Sequence, residues 1–413
     1  MHVLIVTDQH ADSLGGVQVA IRLQRRALEA LGHRVTVAAP ALHRRGYATA
    51  AQDREAYVDL PSAPITVDRE YGLTFPGRRS DRALARALAT RPRVELVHVQ
   101  GDFWGALIGI RAARGLGVPI VHTMHNHVDA GTRAVTPLAP VAFAGLRAWR
   151  GLALGRVRGP VDRASRGAWR YLAEIAAEAA VVTAPSQHFA DTLMRHGVAD
   201  RVRVTPGGVD DALVAEARAR PRSPRRRTKL VWLGRMSHEK RVLEFIEAVA
   251  ESGINADVAL HGAGLLLPRV ERRIAALGLS DRVTIPGPVP YAAALAALRD
   301  ADALVQTSVG FETQGLTPFE AAALGTPTIF SDPNIARDVA VDPHWVVSGD
   351  SVSALADTLR EADAELAVGL ASDDGSLEKL RVSDSEASRF LQSSRTQQML
   401  AVYEEALARA SRH

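Results

Sequence analysis

The chain has 413 residues, 47% hydrophobic and 23% charged, which leaves room for two domains with a core in each and argues against wholesale disorder. It contains no cysteine, which excludes disulfide scaffolds, thiolate zinc sites, iron–sulfur clusters and thiol nucleophiles together and fits an intracellular protein. A net charge of +4 conceals a division: residues 1–205 hold 27 basic and 17 acidic side chains, the rest 23 and 29, so the front half suits an anionic surface or acceptor.

The opening run His2–Thr7 is β-branched and aliphatic and predicts a buried strand. It lacks the charged and long apolar regions of a signal peptide, and no run in the chain approaches the 18 or so apolar residues of a spanning helix. After the Gly15-Gly16 loop, Val17, Ile21, Leu28 and Leu31 fall on one helical stripe that Gly32 closes. Val35–Ala39 is the next strand. The beat continues with Leu96–Gln100, a helix from Gly105, Val118–His122, a long helical stretch, Ala180–Ala184, a helix from Ser186 and Val202–Pro206. Strands alternating with helices imply a parallel sheet covered on both faces.

Residues 213–228 are basic and proline-interrupted and predict a linker or domain edge. A second array then starts at Lys229–Leu233 and runs through Val258–His261, Arg282–Ile285, Ala303–Gln306, Thr328–Phe330 and Trp345–Val347. Asp373-Asp374-Gly375-Ser376 reads as a loop, and Ser385–Arg412 as helix. In open α/β sheets ligands sit beyond the carboxyl ends of the strands, so two such sheets facing each other would place a site in the crevice between them.

Two stretches carry the chemistry. In Gly310–Pro327, Glu312 follows a strand and Glu320 lies eight residues later. Between them Gly315, Leu316 and Thr317 would present backbone N–H groups at a helix N-terminus, an anion site. Thr317-Pro318-Phe319-Glu320 also has the form of a capping box with proline at the first helical position, which would explain Glu320 without a ligand. In Lys229–Arg241, Gly234 ends a strand, Arg235 sits on the turn and Lys240 falls near the first turn of the next helix. The helix dipole opposes a cation there, so a bound anion is a natural reason for it; the plainer alternative is a pair with Glu244 on a wet face. Two cations with two carboxylates suit a nucleotide-diphosphate sugar, whose diphosphate needs neutralising and whose hydroxyls need acceptors.

With these elements in order, the sequence resembles the retaining family 4 glycosyltransferases of the GT-B fold. The resemblance spans nearly the whole chain: Gly15-Gly16, the Gly-Arg-x4-Lys element at 234–240, His261-Gly262-Ala263-Gly264, Val283–Val289, Glu-x7-Glu at 312–320 and Glu-Ala-x-Ala-Leu-Gly-Thr-Pro at 320–327. It implies an α/β protein of two Rossmann-like parallel-sheet domains, 1–205 for the acceptor and 206–385 for the donor, with residues 386–413 returning to the first. It implies that Arg235 and Lys240 bind the donor diphosphate, Glu312 the sugar hydroxyls and Glu320 the ribose. The backbone at Gly315, Leu316 and Thr317 would touch sugar and phosphate, the turn at Pro288-Val289 would read the base, and Gly15 and Gly16 would approach the phosphate, with Gly234 and Gly264 in the donor loops. It places a functional histidine at His125, facing the reacting sugar. Gln314 departs from the pattern, standing where family members often carry an aromatic residue.

His125 and His127 would share a face of an extended segment, but satisfied polar histidines outweigh a metal site there. Asp300-Ala301-Asp302 reads as solvated boundary residues rather than a metal motif. Residues 146–171 carry seven arginines and one acid, Asp162, interleaved with Trp149, Trp169 and Tyr171. They read as an interfacial patch for anionic lipid, with a wet helix face as the alternative; no nucleic-acid-binding module is recognisable. The expectation is therefore a metal-independent retaining hexosyltransferase without a cofactor. It would use a UDP- or GDP-linked glucose or mannose and a lipid or saccharide acceptor, and it would be cytoplasmic or peripheral on the inner face of the plasma membrane. A sugar-nucleotide epimerase and a non-catalytic binding protein are the alternatives. A dehydrogenase or P-loop kinase is disfavoured, because neither glycine motif is present.

Overall fold

The computed structural model describes residues 1–372 and 376–411. The expected loop at Asp373-Asp374-Gly375 and the end of the tail at Arg412 lie outside the described residues; Ser376 opens a short helix, Ser376–Lys379. The chain forms two units, Met1–Gly208 together with the chain from Arg395 onward, and Val209–Ser394. The segment 213–228 lies at the edge of the second unit, as one of the two expected readings had it, but it is not a linker. Its first part lies in the helix Asp211–Ala219, which the Asp210 carboxylate caps by accepting from the N–H groups of Ala212 and Leu213. Proline at 221 and 224 confines the irregular part to the end of that segment.

The first unit is built on seven parallel strands in the spatial order Tyr57–Leu60, Arg34–Pro40, His2–Thr7, Leu96–Gln100, Ile120–Thr123, Val181–Ala184, Val202–Val204. The inner strands are buried on both faces because helices cover both. One face packs against Leu107 and Ile110 of the helix Trp104–Leu116, Ile175 of Gly167–Ala176 and Phe189 of Gln187–Arg195. The other packs against Ile21 and Leu28 of Gly16–Ala30 and Met399, Val402, Tyr403 and Ala406 of Gln392–Ala410. The edge strand Tyr57–Leu60 and the helix Arg78–Leu88 have too few apolar residues to show a period in the sequence.

The second unit holds six parallel strands, ordered Val283–Gly287, Asp257–His261, Lys229–Leu233, Ala303–Gln306, Thr328–Phe330, His344–Val346. Its core lies on both sides of the sheet, with Phe245, Val270 and Leu359 on one and Leu298, Phe319 and Phe390 on the other. In each unit the order reverses beside the first strand: between His2–Thr7 and Leu96–Gln100 in the first, and between Lys229–Leu233 and Ala303–Gln306 in the second. Chains leaving adjacent strands there diverge to opposite faces and open a crevice at the carboxyl ends.

Candidate active site

In the second unit the loops leaving those two strands hold the expected charges. Lys240 ends a single 3-10 turn, His238–Lys240, before the helix Val242–Ser252. Its ammonium is ion-paired with Glu312, not with Glu244. The Glu312 carboxylate also accepts from the Ser308 hydroxyl at 3.0 Å. Trp232 Nε1 donates to Thr307 Oγ1 at 2.9 Å, and the Thr307 hydroxyl in turn donates to the Lys240 carbonyl, so a buried indole anchors the loop that carries the lysine. Lys240, Ser308, Glu312, Gly315 and Thr317 line one small cavity. Arg235 is exposed on the turn after Gly234, and among the described residues its guanidinium makes no hydrogen bond or ion pair.

Glycine is required where these loops meet. Backbone hydrogen bonds continue past the strand ends: Gly234 N to His261 O at 3.0 Å, Met236 N to Ala263 O at 2.9 Å and Gly262 N to Gly287 O at 3.0 Å. A Cβ on Gly262 would collide with the Gly234 carbonyl, and one on Gly264 with that of Met236. Gly264 thus sets the course of the Arg235 loop. Pro288 and Val289 leave the third strand of the same array, Pro288 exposed.

The helix Leu316–Ala323 begins at Gly315, whose φ of 71° suits glycine, and no side chain caps it. The capping box expected at Thr317–Glu320 is not formed: Leu316 and Thr317 are already helical and Pro318 lies in the first turn, where a missing N–H costs nothing. Glu320 is buried and hydrogen-bonded to the Tyr291 hydroxyl; burial pushes its carboxyl up to about 7, with the tyrosine working against it. Gln314 is buried as well. Asp302 is not solvated, being 1% exposed and paired with Arg225 at 2.7 Å, while the partly exposed Asp300 pairs with Lys229 at 2.5 Å.

In the first unit Gly15, with φ 142°, begins the helix Gly16–Ala30, and both glycines are exposed. His125 follows the strand Ile120–Thr123 and is partly buried. Its backbone N–H and both N–H donors of Asn126 converge on Asp102 Oδ2 at 2.8–3.0 Å. Its ring Nε2 lies 3.0 Å from Gln100 Oε1. Burial pushes the imidazole down to about 4 despite the Asp102 charge, so it is neutral at pH 7. His127 does not join it: His127 Nδ1 accepts from Ala130 N at 3.2 Å, capping Val128–Val135, and its ring meets Trp169. Among the described residues no cluster of three or more His, Asp or Glu side chains is arranged to hold a metal ion.

Sequence reasoning missed two buried acids at the switch point of this sheet. Asp8 Oδ2 accepts from the N–H groups of Asp102 (2.8 Å) and Phe103 (3.2 Å), and Oδ1 from Gly105 (2.7 Å), at the start of the helix Trp104–Leu116. Burial and the Asp102 charge push Asp8 up to about 7. Burial also presses on Asp102, but His122, His125 and Asn126 outweigh it and keep that carboxyl low. The available signal was an acid within two residues of the end of each of two buried strands, with glycines at 101 and 105 that allow the close approach.

The aromatic part of the interfacial patch at 146–171 is likewise corrected. Trp169 is buried and stacked on His196 at 4.1 Å, and the buried Tyr171 hydroxyl donates to Asp102 O at 2.7 Å. Arg147, Arg150 and Arg170 converge on Glu174, just past the stretch. No helix among the described residues is long and apolar enough to cross a membrane.

Two parallel-sheet units with charged loops at their switch points define a GT-B sugar-transfer fold. Residues 14–213 match the Glycosyltransferase Family 4 profile and residues 214–364 the Glycosyl transferases group 1 profile. The chain belongs to the family 4 glycosyltransferases. It is similar to the alpha-monoglucosyldiacylglycerol synthase of Streptococcus pneumoniae, 24% identical over 80% of this chain and 70% of that one. It is also similar to the phosphatidyl-myo-inositol mannosyltransferase of Mycobacterium leprae, 26% identical over 87% and 86%. Among solved structures, sucrose-phosphate synthase from Thermosynechococcus elongatus shares the fold at TM-score 0.74 and 20% identity, covering 98% of this chain and 99% of that one. Anabaena HepE in complex with UDP does so at TM-score 0.64 and 15% identity, covering 98% and 100%.

Proposed function

We propose that this glycosyltransferase moves glucose or mannose, with retention of anomeric configuration, from a UDP- or GDP-linked donor to a hydroxyl of a lipid or glycolipid. The observation that supports it most is the Lys240–Glu312 ion pair at the second sheet's switch point, with the unpaired Arg235 guanidinium on the adjoining loop. An arriving diphosphate competes for the Lys240 ammonium and frees Glu312 to accept from sugar hydroxyls. The Gly315–Thr317 amides add donors at a helix N-terminus. Cations and amides held ready for charge that builds on the leaving diphosphate are worth most in the transition state.

In this reading the acceptor oxygen bonds to the anomeric carbon on the face from which the diphosphate departs. The carbon–phosphate oxygen bond breaks, and the acceptor proton passes to that phosphate oxygen. Neutral His125 orients the sugar. Glu320 accepts from the ribose, and the turn at Pro288-Val289 meets the base. Arg235 and Lys240 carry the diphosphate charge without a metal ion, so a chelator should leave the rate unchanged.

The acceptor assignment draws on the relatives' names, one a glycolipid synthase and the other a phosphatidylinositol mannosyltransferase. A surface suited to lipid survives in part: Val135, Leu138, Val141 and Leu152 are exposed on the helices Val128–Val135 and Ala139–Leu154 and the turn between them, and Arg156, Arg158, Arg163 and Arg166 are exposed beyond. The test is incubation with UDP- and GDP-hexoses and vesicles containing diacylglycerol or phosphatidylinositol, with the product's anomeric configuration read by NMR. An α-linked glycolipid supports the reading. Epimerised donor, or donor hydrolysis without transfer to any acceptor, overturns it.

A further inference from the structure

Behind His125 runs a chain of buried polar side chains whose donors and acceptors are coupled end to end, so that the orientation of one sets the next. Gln100 Nε2 donates to Gln24 Oε1, which leaves Gln100 Oε1 as the atom facing His125 Nε2. A carbonyl oxygen only accepts, so the proton of that 3.0 Å bond must sit on His125 Nε2. Gln24 Nε2 donates to the Tyr403 hydroxyl oxygen at 2.8 Å and lies 3.5 Å from His98 Nδ1. Tyr403 therefore gives its own proton to His98 Nδ1, also at 2.8 Å. His98 is then protonated on Nε2 and donates to Thr123 Oγ1 at 2.7 Å, and Thr123 to Thr183 Oγ1 at 2.6 Å. Gln24, His98, Gln100, Thr123, Thr183 and Tyr403 are each buried, so water offers no alternative partners.

We propose that the Gln100–Gln24–Tyr403 relay fixes His125 in the tautomer protonated on Nε2, leaving Nδ1 as the acceptor atom for a substrate hydroxyl, and makes that choice depend on the docked C-terminal helix. The charge facing the ring agrees with this. Asp102 holds the His125 backbone rather than the ring, and His98 and His122 stand on neighbouring strands. With burial keeping the imidazole uncharged down to about pH 4, its tautomer, not its charge, is what the surroundings set near neutrality. Reversing the tautomer requires the whole chain to reverse together: both glutamine amides turn over, Tyr403 donates to Gln24 Oε1, His98 carries its proton on Nδ1 and accepts from Thr123. Gln24, Gln100 and Tyr403 are thus positioning residues for His125. Their role in transfer rests on the function proposed above, whereas the tautomer itself does not.

The test is long-range 1H–15N NMR of the imidazole nitrogens in the ligand-free full-length protein, with His125 assigned by its loss in His125→Gln. The expected spectrum shows His125 protonated on Nε2 alone and not titrating between pH 6 and 8. In Gln100→Leu its two nitrogen shifts should move toward each other as the tautomers mix. Tyr403→Phe should do the same to a smaller degree. Transfer by Gln100→Leu should fall about tenfold in kcat with the donor KM within twofold. Thermal melts show whether each variant is folded. His125 protonated on Nδ1 in the unaltered protein, or nitrogen shifts unmoved in folded Gln100→Leu, overturns the relay. A single Nε2–H tautomer with undiminished transfer in Gln100→Leu overturns its part in the reaction. Failure of every nucleotide sugar as donor counts against the proposed function and leaves the NMR result to decide the relay alone.

Discussion

At the scale of single residues the site sets a clear contrast between two cations. Arg235 is exposed and unpaired, so Arg235→Ala should leave the melting temperature within about 1 °C, as expected for a surface change. Its kcat/KM should nevertheless fall by roughly 10²–10³, the range for removing one preorganised charge. Lys240→Ala should lose a similar amount of activity and also some stability, because Glu312 is left partly buried without its counter-charge. Equal activity in both variants and the unaltered enzyme, measured with saturating acceptor, would remove the diphosphate assignment. Glu320 gives a pH prediction of opposite sign from the usual carboxylate. Its folded value near 7 lies above the unfolded one, so the folded state binds the extra proton and stability declines as pH rises from about 4.5 through 7. The loss at pH 8 is on the order of 3 kcal/mol. Denaturant melts should show Glu320→Gln gaining most over the unaltered chain at pH 8 and little at pH 5.

Whole elements show where sequence and structure part. The alternation of strands and helices was legible because buried parallel strands are short, mostly β-branched and aliphatic runs and the helices carry a stripe. Arg235, Lys240 and Glu312 could be placed in loops beyond strand ends from the sequence, because charged residues there interrupt the apolar beat, but their pairing could not. The capping box failed for a reason that no local pattern shows: Gly315 takes a positive φ and the burial of Phe319 pulls the helix start to Leu316, so Thr317 is already inside the first turn. Trp169 and Tyr171 were misread because an amphipathic helix next to arginines looks alike whether its aromatic side faces lipid or a core. Asp8 was missed because its partners lie about 95 residues on in the chain, and Asp102 because its own lie beyond a helix and a further strand. The loop contacts give a prediction at this scale. Gly264→Ala must displace the Met236 carbonyl, at a cost of about 1–3 kcal/mol. The expected outcome is a lower melting temperature and a raised donor KM, because the turn bearing Arg235 moves with Met236.

For the whole molecule, the two-unit division assigns the chain from Arg395 onward to the same body as residues 1–208. One face of the first sheet relies on Met399, Val402, Tyr403 and Ala406 to cover Val3, Ile5, Val121 and Val181. Val402→Asp would put an unpaired charge into that layer and should cost 3 kcal/mol or more, about what a buried charge without a partner costs. Calorimetry should then show the first unit melting ahead of the second; a single unchanged transition would mean the helix contributes little to the first sheet.

That arrangement has a consequence for biosynthesis. During translation the first body emerges lacking its closing helix, and about 190 residues of the second must be made before Arg395 appears, which at ordinary elongation rates takes roughly 10–40 s. Through that interval an aliphatic sheet face and the unpaired ends of the Gln24–His98 network are bare on the ribosome. The nascent polypeptide is thus a natural client for a holdase chaperone, and its yield should respond to codon speed across the middle of the gene.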